Sequence, residues 1–205
     1  MMHRMNVGKR LLLPIVGKVS AQERATLMGQ RPVTVWLTGL SGAGKSTLAS
    51  ELERRLIDAR KACYMLDGDN IRAGISRDLG FGPEDRHENI RRVAEVARLM
   101  NDAGLIAVTA FISPYRADRE MARRVVRAER FIEVHVSAPL EVCEKRDPKG
   151  LYARARRGEI PDFTGVSAPY EAPQSPQMVL ETAQASVEQC VQQLFDAVMA
   201  RTQPA

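Results

Sequence analysis

Val33-Thr-Val-Trp-Leu37, Gly39-Leu-Ser-Gly-Ala-Gly-Lys-Ser46 and the segment Lys45 to Ile57 decide the fold. The first run is short and mostly apolar and reads as a strand. The last reads as a helix. Between them the loop matches G-x-x-x-x-G-K-[ST], in the strand-to-helix context that motif requires. Its glycines let backbone N–H groups converge on phosphate oxygens, and the helix N-terminus adds partial positive charge. On this pattern Gly39, Leu40, Ser41, Gly42, Ala43, Gly44, Lys45, Ser46 and Thr47 hold a nucleoside triphosphate. Lys45 is placed on the β- and γ-phosphates, Ser46 on Mg²⁺, and Thr47 opens the helix proper. The motif says nothing about the second substrate.

Outward from this unit, short apolar runs alternate with mixed segments. Ala62 to Leu66, Ile106 to Ile112 and Phe131 to Val136 read as further strands. Ile90, Val93, Ala94, Ala97 and Met100 recur at helical spacing, and Gly104 can stop that helix. Arg116 to Ala128 suits another. Alternation of this kind predicts a parallel sheet with helices on both faces. Residues 145–177 break the pattern: they hold five of the eleven prolines, three glycines and little periodicity. So long an irregular stretch is usually functional or disordered. Ser186 and Gln189 form a capping box, and Val187, Val191, Leu194 and Val198 give the closing helix one apolar face.

The 205 residues fit one domain with a core of its own, since a domain this size buries roughly 70% of its unfolded surface. Cys63, Cys143 and Cys190 lie far apart with no metal spacing, which argues against a zinc site and a disulfide framework. The net charge of +5 is local. Residues 1–31 carry six basic residues and one acid, and residues 32–205 hold 24 of each. A nucleic-acid partner is therefore not expected. No apolar run approaches the ~20 residues that span a bilayer, so no membrane partner is expected. Leu11 to Val16 is too short for a signal-peptide core. A transit peptide stays open because Glu23 is the first acid, but a basic extension of a cytoplasmic protein is the preferred reading. The expected division is residues 1–31 as that extension and 32–205 as one domain.

Candidate acceptor groups follow the strands. Asp67-Gly-Asp69-Asn70-Ile71-Arg72 sits at a strand end, where open α/β sheets bind ligands. Asp69 is favoured as the base for an acceptor hydroxyl and Asp67 as the metal-water or positioning group, with the reverse order open. Arg72 and Arg86 are candidates to clamp an anionic acceptor. Arg91 and Arg92 are assigned to the surface or to helix pairing, and His87 to the surface. Ser113, in Phe111-Ile-Ser-Pro-Tyr-Arg116, is open to three roles: bonding the acceptor, taking a phosphoryl group or capping a helix. Residues 144–159 carry six basic and three acidic residues, suited to an arm closing over phosphates.

These motifs in this order, with Asp78-Leu-Gly-Phe81, Asp85-Arg-His-Glu-Asn-Ile-Arg-Arg92, Arg146-Asp-Pro-Lys-Gly-Leu-Tyr152, Phe163-Thr-Gly165 and Pro169-Tyr-Glu-Ala-Pro173, resemble the adenylylsulfate kinase (APS kinase) family over about residues 19–200. The resemblance implies a P-loop NTPase-type α/β fold with a mobile lid at about 145–177. It also implies transfer of the γ-phosphoryl of ATP to the ribose 3′-hydroxyl of adenylyl sulfate, with Mg²⁺, in sulfate assimilation. By motif position, Lys45, Asp69 and Ser113 are the catalytic set. Asp67, Arg72, Phe81, Arg86, Asn89, Ile112, Ser113, Lys149 and Phe163 form the acceptor site, with the two phenylalanine rings flanking adenine. Arg146 lies near the ATP base, and Ser46 and Asp67 serve the metal. The family describes a phosphoserine at the position of Ser113, but direct in-line transfer is expected here, because two positioned substrates need no covalent step. A homodimer and a functional association with a sulfate adenylyltransferase are further expectations, although 205 residues leave no room for a fused sulfurylase. Residues 1–18 have no recognised counterpart. Ser167 stands where the family often has Asp, and Ser76 where it commonly has Asn. The alternatives are a P-loop kinase for a nucleoside monophosphate or sugar acid, and a silent nucleotide-binding module docking onto a sulfurylase.

Overall fold

The computed structural model describes residues 17–203. Its elements are α1 (Ala21–Met28), β1 (Thr34–Thr38), α2 (Lys45–Asp58), β2 (Cys63–Asp67), α3 (Gly68–Ala73), α4 (Pro83–Asp102), β3 (Ile106–Ala110), α5 (Arg116–Val126), β4 (Phe131–Ser137), α6 (Leu140–Arg146), α7 (Leu151–Arg156), β5 (Met178–Glu181) and α8 (Val187–Thr202). The five strands form one sheet in the order β2-β3-β1-β4-β5, every neighbouring pair parallel. All of β1 is buried, because it is central and covered on both faces. Its side chains still alternate. Val35 and Leu37 face Leu48, Leu52 and Leu56 of α2 and Val191, Leu194 and Val198 of α8. Trp36 faces the opposite way, onto Ile90, Val93 and Ala97 of α4 and Ala122 and Val126 of α5. Its ring stacks between Phe111 and Phe131, at centroid distances of 6.2 and 5.5 Å.

The chain leaves β1 toward one sheet edge and crosses to the other side after β3. The carboxyl ends of β1 and β3 therefore flank the crevice where strand order reverses, the place such sheets bind ligands. The opposite end of the sheet is closed by polar ties. Buried Asn101 accepts from Thr34 Oγ1 at 2.9 Å and donates to the carbonyls of Val33 and Leu105.

Four elements go beyond the sequence reading. The α1 helix lies inside residues 1–31, with a Ser20–Glu23 capping box and left-handed Gly29 closing it. It buries no residue of its own, so no apolar period announces it. Gln30 then anchors the segment to the body, donating to Ala62 O and Gly104 O and accepting from Ala62 N. Residues 1–16 of the predicted extension, with Arg4, Lys9, Arg10 and the run Leu11 to Val16, lie outside the described residues. Strand β5 buries only Leu180 and has no alternation to read. Helix α7 interrupts the stretch 145–177, and α3 follows β2 directly. Helix α4 starts at Pro83, a residue suited to the first helical position, seven residues before its apolar stripe.

Candidate active site

The phosphate loop closes tightly on the sheet. A Cβ on Gly39 would stand 2.3 Å from Val136 O, and one on Gly42, at φ +74°, 2.8 Å from Cys143 O. Only glycine allows both approaches. Tyr152 of α7 donates its hydroxyl to Ser41 O at 3.0 Å, and Thr182 after β5 donates to Ala43 O at 2.9 Å. The loop is thus pinned from two distant parts of the chain.

Lys45 is 8% exposed. Its Nζ donates to Gly39 O at 2.9 Å and Leu40 O at 2.7 Å. Burial pulls its pKa down to about 8, against the opposing charges of Cys143 and Asp67. Ser46 Oγ donates to Asp67 Oδ2 at 2.7 Å, while Asp67 Oδ1 accepts from Asp69 N and caps α3. One hydroxyl and one carboxylate side by side form a hard-oxygen pair of the kind Mg²⁺ uses together with phosphate oxygens and water. Asp69 itself is exposed to the crevice and pairs with Lys149 Nζ from the α6–α7 connection.

A cavity of about 1230 Å³ joins these groups to the acceptor candidates. Ser41, Gly42, Gly44, Lys45, Ser46 and Thr47 of the loop line it, together with Asp67, Asp69 and Arg72. Phe81, Arg86, Asn89, Ile112, Ser113 and Phe163 line it as well, as do Arg146 at the end of α6 and Lys149 beyond it. Gly39, Leu40 and Ala43 stay off the wall and offer carbonyls to Lys45 and Thr182 from beneath.

The arginines differ in what they do. Burial first, then repulsion by neighbouring Arg86, lowers the proton affinity of the Arg72 guanidinium. Two cations held together at one wall favour an anion between them. Arg72 also donates to Gly80 O and lies 4.3 Å from the Phe81 ring centroid. Arg86 donates to Phe81 O, Asp162 O and Thr164 Oγ1, joining the two backbone segments that carry Phe81 and Phe163. Phe81 is 62% exposed, whereas Phe163 is 7% exposed and meets Tyr152 edge-on. Asn89 is 4% exposed, and its Oδ1 has no hydrogen-bond partner among the described residues. A buried orphan on a cavity wall is a group awaiting a donor.

Ser113 stands at φ +39°, and it is 2% exposed. Its Oγ accepts from Trp36 Nε1 at 3.2 Å and lies 3.4 Å from Phe111 O. Arg146 donates to Thr182 O and Thr182 Oγ1, and at 3.4 Å to Gly42 O. Arg91 and Arg92 pair with Glu88, and Arg92 also with Asp78, off the cavity. His87 is exposed but is held by Asp118 at 2.6 Å. The sequence reading quoted Tyr152 within a motif without a role. It missed Thr182, whose only signal is tertiary. Among the described residues no His, Cys, Asp and Glu cluster of three could hold a metal, and no helix is long and apolar enough to cross a membrane.

The chain is similar to known proteins. The family model described as adenylylsulphate kinase matches residues 31–181. The adenylyl-sulfate kinase of Shewanella sp. (strain MR-7) is 56% identical over 182 residues, 89% of each chain. That of Aeromonas salmonicida (strain A449) is 57% identical over 180 residues, 88% of this chain and 92% of its own. Among solved structures, the Mycobacterium tuberculosis APS kinase in complex with AMPPNP and APS superposes with a TM-score of 0.79 at 45% identity, over 82% of this chain and 98% of that one. A gluconokinase from Sinorhizobium meliloti, at 14% identity and a TM-score of 0.56, shares the fold alone. With the phosphate loop, the acidic strand end and the arginine pair in one crevice, the chain belongs to the adenylylsulphate kinase family.

Proposed function

We infer that the protein is an adenylyl-sulfate kinase, transferring the γ-phosphoryl of ATP to the ribose 3′-hydroxyl of adenylyl sulfate to give ADP and 3′-phosphoadenylyl sulfate. One observation carries the reading: Lys45, Ser46, Asp69, Arg72 and Arg86 line a single cavity. The loop N–H groups and Lys45 hold the triphosphate, and Arg146 lies by the ATP base. Arg72, Arg86, Asn89, Ile112 and Lys149 bind the acceptor, and Phe81 and Phe163 flank its adenine. Asp69 accepts the hydroxyl proton late in transfer, when the oxygen has become acidic. Lys149, paired with Asp69, holds that carboxylate in the crevice beside the acceptor.

Ser46 and Asp67 fit Mg²⁺, which when bound shields the charge on the β- and γ-oxygens. Transfer is direct. The Ser113 hydroxyl is buried and engaged with Trp36, which suits a wall that positions the acceptor better than a nucleophile. The segment 145–177 acts as a lid. We extend the reading to a cytoplasmic enzyme, a homodimer and a functional association with a sulfate adenylyltransferase, checked by fractionation, sedimentation and co-purification. The central test is ADP release with adenylyl sulfate, AMP or gluconate as acceptor. Turnover with adenylyl sulfate alone is expected. Comparable turnover with AMP or gluconate, and none with adenylyl sulfate, overturns the assignment.

A further inference from the structure

The segment Pro169-Tyr-Glu-Ala-Pro173, near the end of the lid stretch, supplies none of the substrate-binding residues named above, yet it is laced onto the turn that carries Ser113. Glu171 N donates to Pro114 O at 2.8 Å. Arg116 N donates to Glu171 Oε2, and Arg116 Nε to Ala172 O, both at 2.8 Å. The Tyr170 hydroxyl lies 3.1 Å from Thr38 Oγ1, which donates to Ile112 O at 2.7 Å. At the centre of the lacing is Arg119 of α5, only 2% exposed.

All three nitrogens of the Arg119 fork donate. Nε donates to Glu133 Oε1 on β4 at 2.9 Å. One terminal nitrogen donates to Ser113 O at 2.7 Å, and the other to Glu171 O at 2.6 Å. The guanidinium carbon lies 5.9 Å from the Tyr170 ring centroid. A buried cation is expensive unless paired and fully hydrogen-bonded, and Glu133 supplies the countercharge. The planar fork spreads its donors over three separate nitrogens and so reaches a strand, a turn and a strap at once; an ammonium has three N–H groups on a single nitrogen and lacks that span. One of those bonds falls on Ser113, a non-glycine residue in the left-handed region. Strain of that kind persists only where the surroundings over-determine it. Arg119 itself is absent from the wall of the large cavity and lines a separate one of about 380 Å³ with Glu133 and Pro173.

We propose that Arg119 is a positioning residue for the acceptor half of the site, clamping the Pro169–Ala172 strap onto the Phe111–Pro114 turn and so holding Ile112 and Ser113 against the acceptor. The proposal rests on the adenylyl-sulfate kinase reading for the identity of that acceptor. It separates the two substrates, because the phosphate loop has its own anchors in Lys45, Tyr152 and Thr182.

The test is Arg119→Lys, with the parent enzyme assayed alongside. ATP affinity is measured by calorimetry, folding by circular dichroism, and KM for each substrate by ADP release. The expected result is a folded enzyme whose ATP Kd stays within about twofold while KM for adenylyl sulfate rises about tenfold. Unchanged KM values overturn the proposal, and so does an equal loss for both substrates, which would mark a merely structural role. If Arg119→Lys does not fold, Glu171→Ala carries the test, since it removes the strap's bond to Arg116 N and leaves the buried pair intact. A rise of about threefold in KM for adenylyl sulfate supports the clamp, and no rise overturns it. If the parent turns over a different acceptor, the kinase reading falls and the same split is measured with that acceptor.

Discussion

Lys45 carries a cost that can be measured apart from catalysis. Its amine is pulled from the ordinary 10.5 to about 8 by burial. At about 1.4 kcal/mol per pH unit, that drop makes the charged amine cost the ligand-free fold about 3 kcal/mol. The sign follows from the protons bound. Between pH 8 and 10.5 the unfolded chain keeps the proton and the folded chain has lost it, so stability rises with pH across that window. Replacing Lys45 by Met removes the cost and the dependence together. It also frees Gly39 O and Leu40 O, which now accept from Nζ and whose loss returns about 1–3 kcal/mol. At pH 7 the two effects nearly cancel, and Lys45→Met should be folded and close to the parent in stability, with turnover abolished. By pH 10 the parent should have gained about 3 kcal/mol over the variant. Urea unfolding of both proteins at pH 7, 8, 9 and 10 measures this directly. A stability difference that stays flat with pH refutes the reasoning, whatever happens to activity. ATP binding to the parent at pH 9 should take up about one proton, because the phosphates restore the ammonium. Calorimetry in buffers of different ionisation enthalpy reads that uptake.

Three further outcomes are expected. Asp69→Asn should lower kcat by about 10²- to 10⁴-fold with the ATP Kd unchanged, and an unaltered kcat would remove Asp69 as the base. Ser113→Ala should keep kcat within about tenfold and cost about 1 kcal/mol, or about 3 °C in Tm, because Trp36 Nε1 loses its acceptor. Complete loss, with phosphoserine trapped in the parent, would instead support a covalent route. Gly42→Ala forces a methyl to 2.8 Å from Cys143 O at a left-handed φ, so the ATP Kd measured by calorimetry should rise at least about tenfold; a Kd within twofold would show that the loop tolerates the shift.

The part of the site visible in the sequence is the part made by consecutive residues. A phosphate loop draws its N–H groups, lysine and hydroxyl from one short run, so its composition is its geometry. The same holds for Asp67 and Asp69, two residues apart at the end of β2, and for the Ser186 capping box of α8. Strands β1, β3 and β4 are legible because covering by helices leaves mainly apolar runs. Helix α1 and strand β5 are not, because each borrows its stability: α1 through the side chain of Gln30, and β5 through pairing with β4.

By itself the sequence determined the nucleotide loop and the parallel α/β architecture, and it named residues that the fold brings to the wall of one cavity. It also placed the +5 charge within residues 1–31 and left the body neutral. Tertiary structure alone decided how those members are held. Arg86 reaches Thr164 and Asp162, Tyr152 reaches Ser41, Thr182 reaches Ala43, and Arg119 joins Ser113 to Glu171. Each of these bonds crosses dozens of residues or depends on a partner that does. Periodicity reports which face of an element is apolar, whereas a hydrogen bond between distant segments depends on how the elements pack, and that order is set only when the chain closes on its core.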